Sequence, residues 1–138
     1  MKILLPLDDS KFADKNIEYV AKLAKQMEAE VTLFHAVALP SSTATEGFVP
    51  DFTTFEAEAK TVLEKYQKIL EEKGLKVSSK SETGFGRPGD IINRELEKGG
   101  YDLVALGARG KSTLRNLLLG SVADSVVHNA PCSVLIIR

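Results

Sequence analysis

The sequence predicts an α/β fold, a doubly wound parallel sheet with helices on both faces. Three observations predict it. Short apolar runs alternate with segments whose apolar residues recur at helical spacing, in the order β-α-β-α-β-α-β-α-β. The connections are short, which joins successive strands through crossover helices. One apolar run ends in glycines and feeds a helix, as ligand-binding turns of such sheets do. At 138 residues the chain has the length of one domain, 1–138, and 43% hydrophobic residues suffice for a core.

The first strand is Ile3-Leu4-Leu5-Pro6-Leu7. The helix after it places Ala13, Ile17, Val20, Ala21, Ala24 and Met27 on one face, with Ser10 or Asp9 as its cap. Val31 to Val37 is the second strand. A turn-rich stretch, Pro40 to Gly47, has no periodicity. With Phe48, Pro50, Phe52 and Phe55 beyond it, this segment is either a lid or partner surface, or a loop packed by its phenylalanines. Thr53 and Glu56 form a capping-box pattern that opens a helix with Phe55, Ala59, Val62, Leu63, Tyr66, Ile69 and Leu70 on its face. Gly74 ends that helix. Leu75 to Glu82 is a polar strand of the kind found at a sheet edge. Pro88 suits the first turn of a third helix that buries Ile91, Ile92 and Leu96 and stops at Gly99-Gly100. Leu103 to Leu106 is the fourth strand. Val122, Ala123, Val126 and Val127 line the last helix, and Val134 to Ile137 is the last strand.

The chemistry concentrates at Gly107-Ala108-Arg109-Gly110, followed after nine residues by Gly120-Ser121. Glycine permits positive φ and lets a ligand approach the backbone without meeting a Cβ. Backbone N–H groups at a helix start attract anions. If the first and fourth strands are neighbours, Asp8 and Gly107 face one crevice. The same residues also have a purely structural reading, in which Gly107 ends a strand and Ser121 caps a helix with Asp124. Likewise Asp8 and Asp9 serve as turn and cap residues in that reading. Gly110-Lys111-Ser112 has the tail of a P-loop, but that motif needs glycine where the chain has Ala105. Lys111 and Arg109 are loop cations, either neutralising phosphate or solvated. His35 and His128 lack partners at metal-ligand spacing and are expected to be satisfied structural residues. Cys132 is expected to be a small buried thiol.

Charge excludes some classes. A net charge of −1 offers no electrostatic footprint for nucleic acid or an anionic membrane. No apolar stretch approaches the roughly 20 residues of a membrane span, and the N-terminus does not read as a signal peptide. The expected location is cytoplasmic.

These residues together resemble the universal stress proteins, in particular the branch that binds ATP. The family motif, Gly-x2-Gly-x9-Gly-Ser/Thr, is matched at Gly107, Gly110, Gly120 and Ser121. Ile3 to Ser10 is similar to the family's first strand and acidic turn, Gly86-Arg87-Pro88 to its turn before the third helix, and Gly120 to Leu135 to its closing helix and strand. The resemblance implies a five-stranded sheet of order 3-2-1-4-5. It implies that Asp8 binds ribose, that Pro6 shapes the base pocket and that the Ala36 backbone meets adenine. Leu106 would sit by the nucleotide, Gly107 and Gly110 close to ribose and phosphates, and Gly120, Ser121 and Val122 would offer N–H groups. It further implies a homodimer through Val134, Leu135, Ile136 and Ile137, and ATP whose magnesium is carried by the phosphates rather than by a protein metal site.

Two classes of function are open. One is a regulatory ATP-binding protein of the stress response that changes its dimer or its contacts with a partner protein. The other is a weak ATP-hydrolysing or adenylate-handling enzyme of the same general fold. Such enzymes carry a glycine-serine-rich loop after the first strand, where this chain has Pro6-Leu7-Asp8-Asp9-Ser10. That difference favours the first class, and no residue stands out as a base or nucleophile.

Overall fold

The structure, a computed structural model, describes residues 1–39, 52–110 and 119–138. Its elements run β1 (Lys2–Pro6), α1 (Ala13–Gln26), β2 (Glu30–Leu39), α2 (Phe52–Glu72), β3 (Val77–Phe85), α3 (Pro88–Gly99), β4 (Leu103–Gly107), α4 (Ser121–Asn129) and β5 (Ser133–Ile137). The five strands form one parallel sheet in the order β3-β2-β1-β4-β5, as expected. Strand order reverses between β1 and β4, which pair at Ile3–Leu103 and Leu4–Val104.

Alternation along the strands builds a core on each face. Ile3, Leu5, Val31, Leu33 and Ala105 point to one side, where Ile17, Val20 and Ala24 of α1 and Leu63, Tyr66 and Leu70 of α2 cover them. Leu4, Phe34, Val104 and Leu106 point to the other, beneath Ile91, Ile92 and Leu96 of α3 and Ala123 and Val126 of α4. With both faces covered, the central strands carry unbroken apolar runs.

Three helix-face expectations are corrected. Met27 is the C-cap of α1, past the last buried turn, and lies exposed. Phe55 is exposed because the opening turns of α2 stand over the carboxyl end of the sheet beside Asp9, and burial begins only at Ala59. Val127 flanks the narrow stripe that α4 buries.

The caps differ as well. Thr53 lies inside α2, so the Thr53–Glu56 pair is not its cap. Neither Asp9 nor Ser10 is the N-cap of α1; that position is Phe12, whose N–H donates to Ser10 Oγ at 3.4 Å. The expected stops hold: Gly74 has φ of +81° and Gly100, at φ of +61°, ends α3 in the left-handed conformation. Pro88 opens α3, and the Arg87 N–H donates to the Asp90 carboxylate at 3.3 Å. β3 is an edge strand, two residues later at its start than expected and three at its end.

On α3 sits Glu95, only 2% exposed. It is paired with Lys80 of β3 and accepts a hydrogen bond from Tyr101 Oη at 2.9 Å. Burial, then the Glu95 bond, pushes the Tyr101 phenol up to about 12. A buried carboxylate needs such partners, and these tie α3 to the edge strand.

Candidate functional site

A cleft of about 250 Å³ opens at the carboxyl ends of β1 and β4, where strand order reverses. β1 supplies one wall. The Leu7 N–H donates to the Phe34 carbonyl at 2.8 Å, after which the chain leaves the sheet. Pro6 and Asp8 then line the cleft. Asp8 Oδ1 accepts the Ser10 N–H at 3.1 Å, an Asx turn that orients the carboxylate.

β4 supplies the floor through Leu106 and Gly107. The Ala108 N–H donates to the Ile137 carbonyl at 2.8 Å, and the Ala108 carbonyl accepts the Gly120 N–H at 2.7 Å. Ala108 thus ties the two halves of the glycine motif together. Arg109, an exposed cation, and Gly110 also line the cleft. Lys111 and Ser112 lie outside the described residues, as do Phe48 and Pro50 of the variable segment.

The glycines work differently from expectation. Gly107 and Gly110 do not have positive φ; Gly74, Gly86 and Gly100 do. A Cβ on Gly107 would lie 2.7 Å from Asn16 Nδ2 and 3.0 Å from the Arg109 carbonyl oxygen. A Cβ on Gly110 would lie 2.8 Å from Asp8 Oδ2. Both are small because the chain's own polar groups press against them.

α4 supplies the far end. Its N-cap is Gly120, extended at φ −72° and ψ 161°, and no side chain among the described residues caps the helix. Ser121 is therefore not a cap, which corrects the purely structural reading. The Asp124 N–H reaches back to the Gly120 carbonyl at 2.9 Å. The N–H groups of Ser121, Val122 and Ala123 belong to the first turn, which has no intrahelical acceptors, and all three residues line the cleft.

At the opposite end lies β2. The Phe34 carbonyl faces β1, so the backbone of Ala36, two residues on, faces the same way. There β1 has ended, its last register pair being Pro6–Phe34, and Ala36 lines the cleft. All ten residues singled out from the sequence therefore meet at one cavity.

The sequence reading missed Asn16, His35, Pro88 and Ile92 of the same lining. Pro88 and Ile92 form the apolar wall from α3. His35 was expected to be satisfied, but its Nδ1 is buried and has no hydrogen-bond partner among the described residues. Burial pushes the imidazole below its ordinary range, against smaller upward pulls from the Leu7 backbone and the Asp8 and Glu58 carboxylates. His128 is a structural residue, its Nδ1 2.8 Å from the Asp124 carbonyl oxygen. Cys132 is half-buried, and burial pushes its thiol up, away from reactivity. Among the described residues no group of three His, Cys, Asp or Glu side chains is placed to hold a metal, and no helix is long and apolar enough to cross a membrane.

Comparison with known proteins adds a family. The model of the universal stress protein family matches residues 1–138. The chain is 34% identical over 147 residues to universal stress protein YxiE of Bacillus subtilis, covering 99% of this chain and 98% of that one. Among solved structures, hypothetical protein MJ0577 is similar at TM-score 0.84 and 31% identity, over 99% of this chain and 94% of the other. Two more distant structures share the fold at TM-score 0.73. One, from Arabidopsis thaliana, is 20% identical over 99% of this chain and 90% of the other and has AMP bound. The second, from Archaeoglobus fulgidus, is 22% identical over 100% and 98%, and was solved in complex with dAMP.

Proposed function

Since the chain belongs to the universal stress protein family, we propose that it is an ATP-binding member, a regulatory protein of the stress response that acts as a homodimer in the cytoplasm. The observation that carries the reading is the start of α4, uncapped among the described residues, which borders the same cleft as Asp8 and Ala36. First-turn N–H groups and the helix dipole form an anion site. A nucleotide lies along this cleft with its base at Ala36 and Pro6, its ribose at Asp8 and Gly107, and its phosphates at Gly110, Gly120, Ser121 and Val122. Leu106 packs beside it and Arg109 adds a cation at the rim. The AMP and dAMP complexes of family members support an adenine nucleotide.

Magnesium arrives with the phosphates in this reading. Dimerisation uses β5, at the outer edge of the sheet, through Val134, Leu135, Ile136 and Ile137.

Mass spectrometry of small molecules released from the purified protein tests the ligand directly. Thermal unfolding of nucleotide-free protein then tests affinity. A ligand that binds only the folded state adds about 2.7 kcal/mol of stability at one hundred times Kd. Melting temperature rises with ATP and magnesium in this reading; no rise at millimolar ATP refutes it.

A further inference from the structure

Asn16 stands apart from the other polar residues of α1. It occupies a core position between Ala13, Ile17 and Val20, and it is 7% exposed. Its side-chain amide makes no hydrogen bond to another described group and is open to the cleft it borders. The amide atoms are not sealed from the cleft, so a polar group bound there can meet them. Gly107 has no Cβ where the Asn16 amide lies, so the glycine leaves the amide its space.

The place of Asn16 along the cleft narrows what it can meet. The sheet runs β2, β1, β4, with α4 beyond. Ala36 on β2 marks one end, and the open N–H groups of α4 mark the other. Asp8 and Gly107 lie between them, and Asn16 lies against Gly107. In a nucleotide stretched from base to phosphate, the sugar occupies that middle position. Its hydroxyls both donate and accept. Asp8 when ionised only accepts, whereas an amide supplies a donor and an acceptor.

We propose that Asn16 is a specificity-determining residue of this site, whose buried amide hydrogen-bonds the sugar hydroxyls of the bound nucleotide and selects ribonucleotides over deoxyribonucleotides. The inference rests on the nucleotide reading above. A site built around a hydroxyl rejects the analogue that lacks it, because its own polar group is then left unpaired. Asn16 adds to Asp8 here, since removing the hydroxyl leaves the amide without the partner that the bound sugar supplies.

The test compares ATP, 2′-deoxyATP and 3′-deoxyATP by calorimetry on the unaltered chain, Asn16→Ala and Asn16→Leu. Alanine is the best helix former and leucine keeps the volume, so circular dichroism is expected to show both variants folded. The unaltered chain prefers ATP to at least one deoxy analogue, and both variants lower that preference about tenfold, the value of one hydrogen bond to a buried group. Asn16→Leu separates the roles, because a residue that only fills space is rescued by leucine. Binding of ATP with an unchanged ribo-to-deoxy ratio in both variants overturns this inference and leaves the nucleotide reading standing. Failure of the unaltered chain to bind ATP or AMP at millimolar concentration overturns both.

Discussion

Replacing Gly110 with alanine tests whether Asp8 touches the ligand. The new Cβ would lie 2.8 Å from Asp8 Oδ2, inside the 3.4 Å at which ordinary contact begins. The carboxylate must then retreat by about half an ångström. Asp8 has little freedom to do so, because its other oxygen already holds the Ser10 N–H at 3.1 Å. If Asp8 binds ribose, the displacement weakens a hydrogen bond to a charged group. Such a bond is worth about 1.5–3 kcal/mol, so partial loss weakens ATP binding by roughly tenfold. Titration calorimetry on four proteins checks this: the unaltered chain, Gly110→Ala, Asp8→Ala and the double variant. The Gly110→Ala penalty is expected to vanish once Asp8 is gone, since contacting residues couple in such a cycle. A penalty of the same size in both backgrounds means that the methyl group meets the ligand directly and that the Asp8 reasoning is wrong. No penalty in either background removes Asp8 from the site.

Other outcomes follow from the same geometry. Gly107→Ala drives a Cβ against Asn16 Nδ2 and the Arg109 carbonyl, so it is expected to cost about 1–3 kcal/mol in urea unfolding, part of it recovered by adding Asn16→Ala. His35 titrates below its ordinary range when folded, so the unfolded chain takes up a proton first as pH falls below about 6.5, and stability drops there. His35→Gln is expected to flatten that part of the pH profile, and an unchanged slope places the effect elsewhere. The Ile137 carbonyl faces β4, so the Ile136 N–H points away from the sheet, and Ile136→Pro removes an outer-edge donor without breaking the β4–β5 ladder. Light scattering is expected to show a dimer for the intact chain at tens of micromolar and a monomer for this variant. A monomeric intact chain refutes the dimer, and a dimer that survives the proline moves the interface elsewhere.

The fold was legible because its central strands are buried on both faces. Runs such as Ile3-Leu4-Leu5 and Leu103-Val104-Ala105-Leu106 need no periodicity to be recognised, and the glycine and proline stops at Gly74, Pro88 and Gly100 fall where the helices begin and end. β3 was harder. Ser78, Ser79, Lys80, Ser81 and Glu82 carry no apolar alternation, because an edge strand is held by its ladder to β2, which runs to Phe85. Exposure at Phe55 and Met27 depends on how far a helix outruns the sheet, which helical spacing does not encode. Asn16 did leave a signal. It falls at helical spacing between Ala13, Ile17 and Val20, so an amide stands where the pattern demands an apolar residue. His35 left none, because its unpaired nitrogen is a property of its surroundings and not of its place in the strand.

The glycine motif shows why spacing alone does not reveal a mechanism. A glycine in a sequence records only that a Cβ is missing. At Gly110 and Gly107 the structure fills that space with Asp8 and Asn16, so two motif positions complement the segment that follows β1. Positive φ is not the reason at Gly120, since φ −72° and ψ 161° suit any residue. What glycine withholds there is a side chain. Serine, threonine, aspartate or asparagine at an N-cap turns its oxygen onto the first-turn N–H groups and satisfies them. Glycine leaves the first-turn N–H groups of Ser121, Val122 and Ala123, all of which line the cleft, without a cap from that position, and in the proposed reading an anion takes its place.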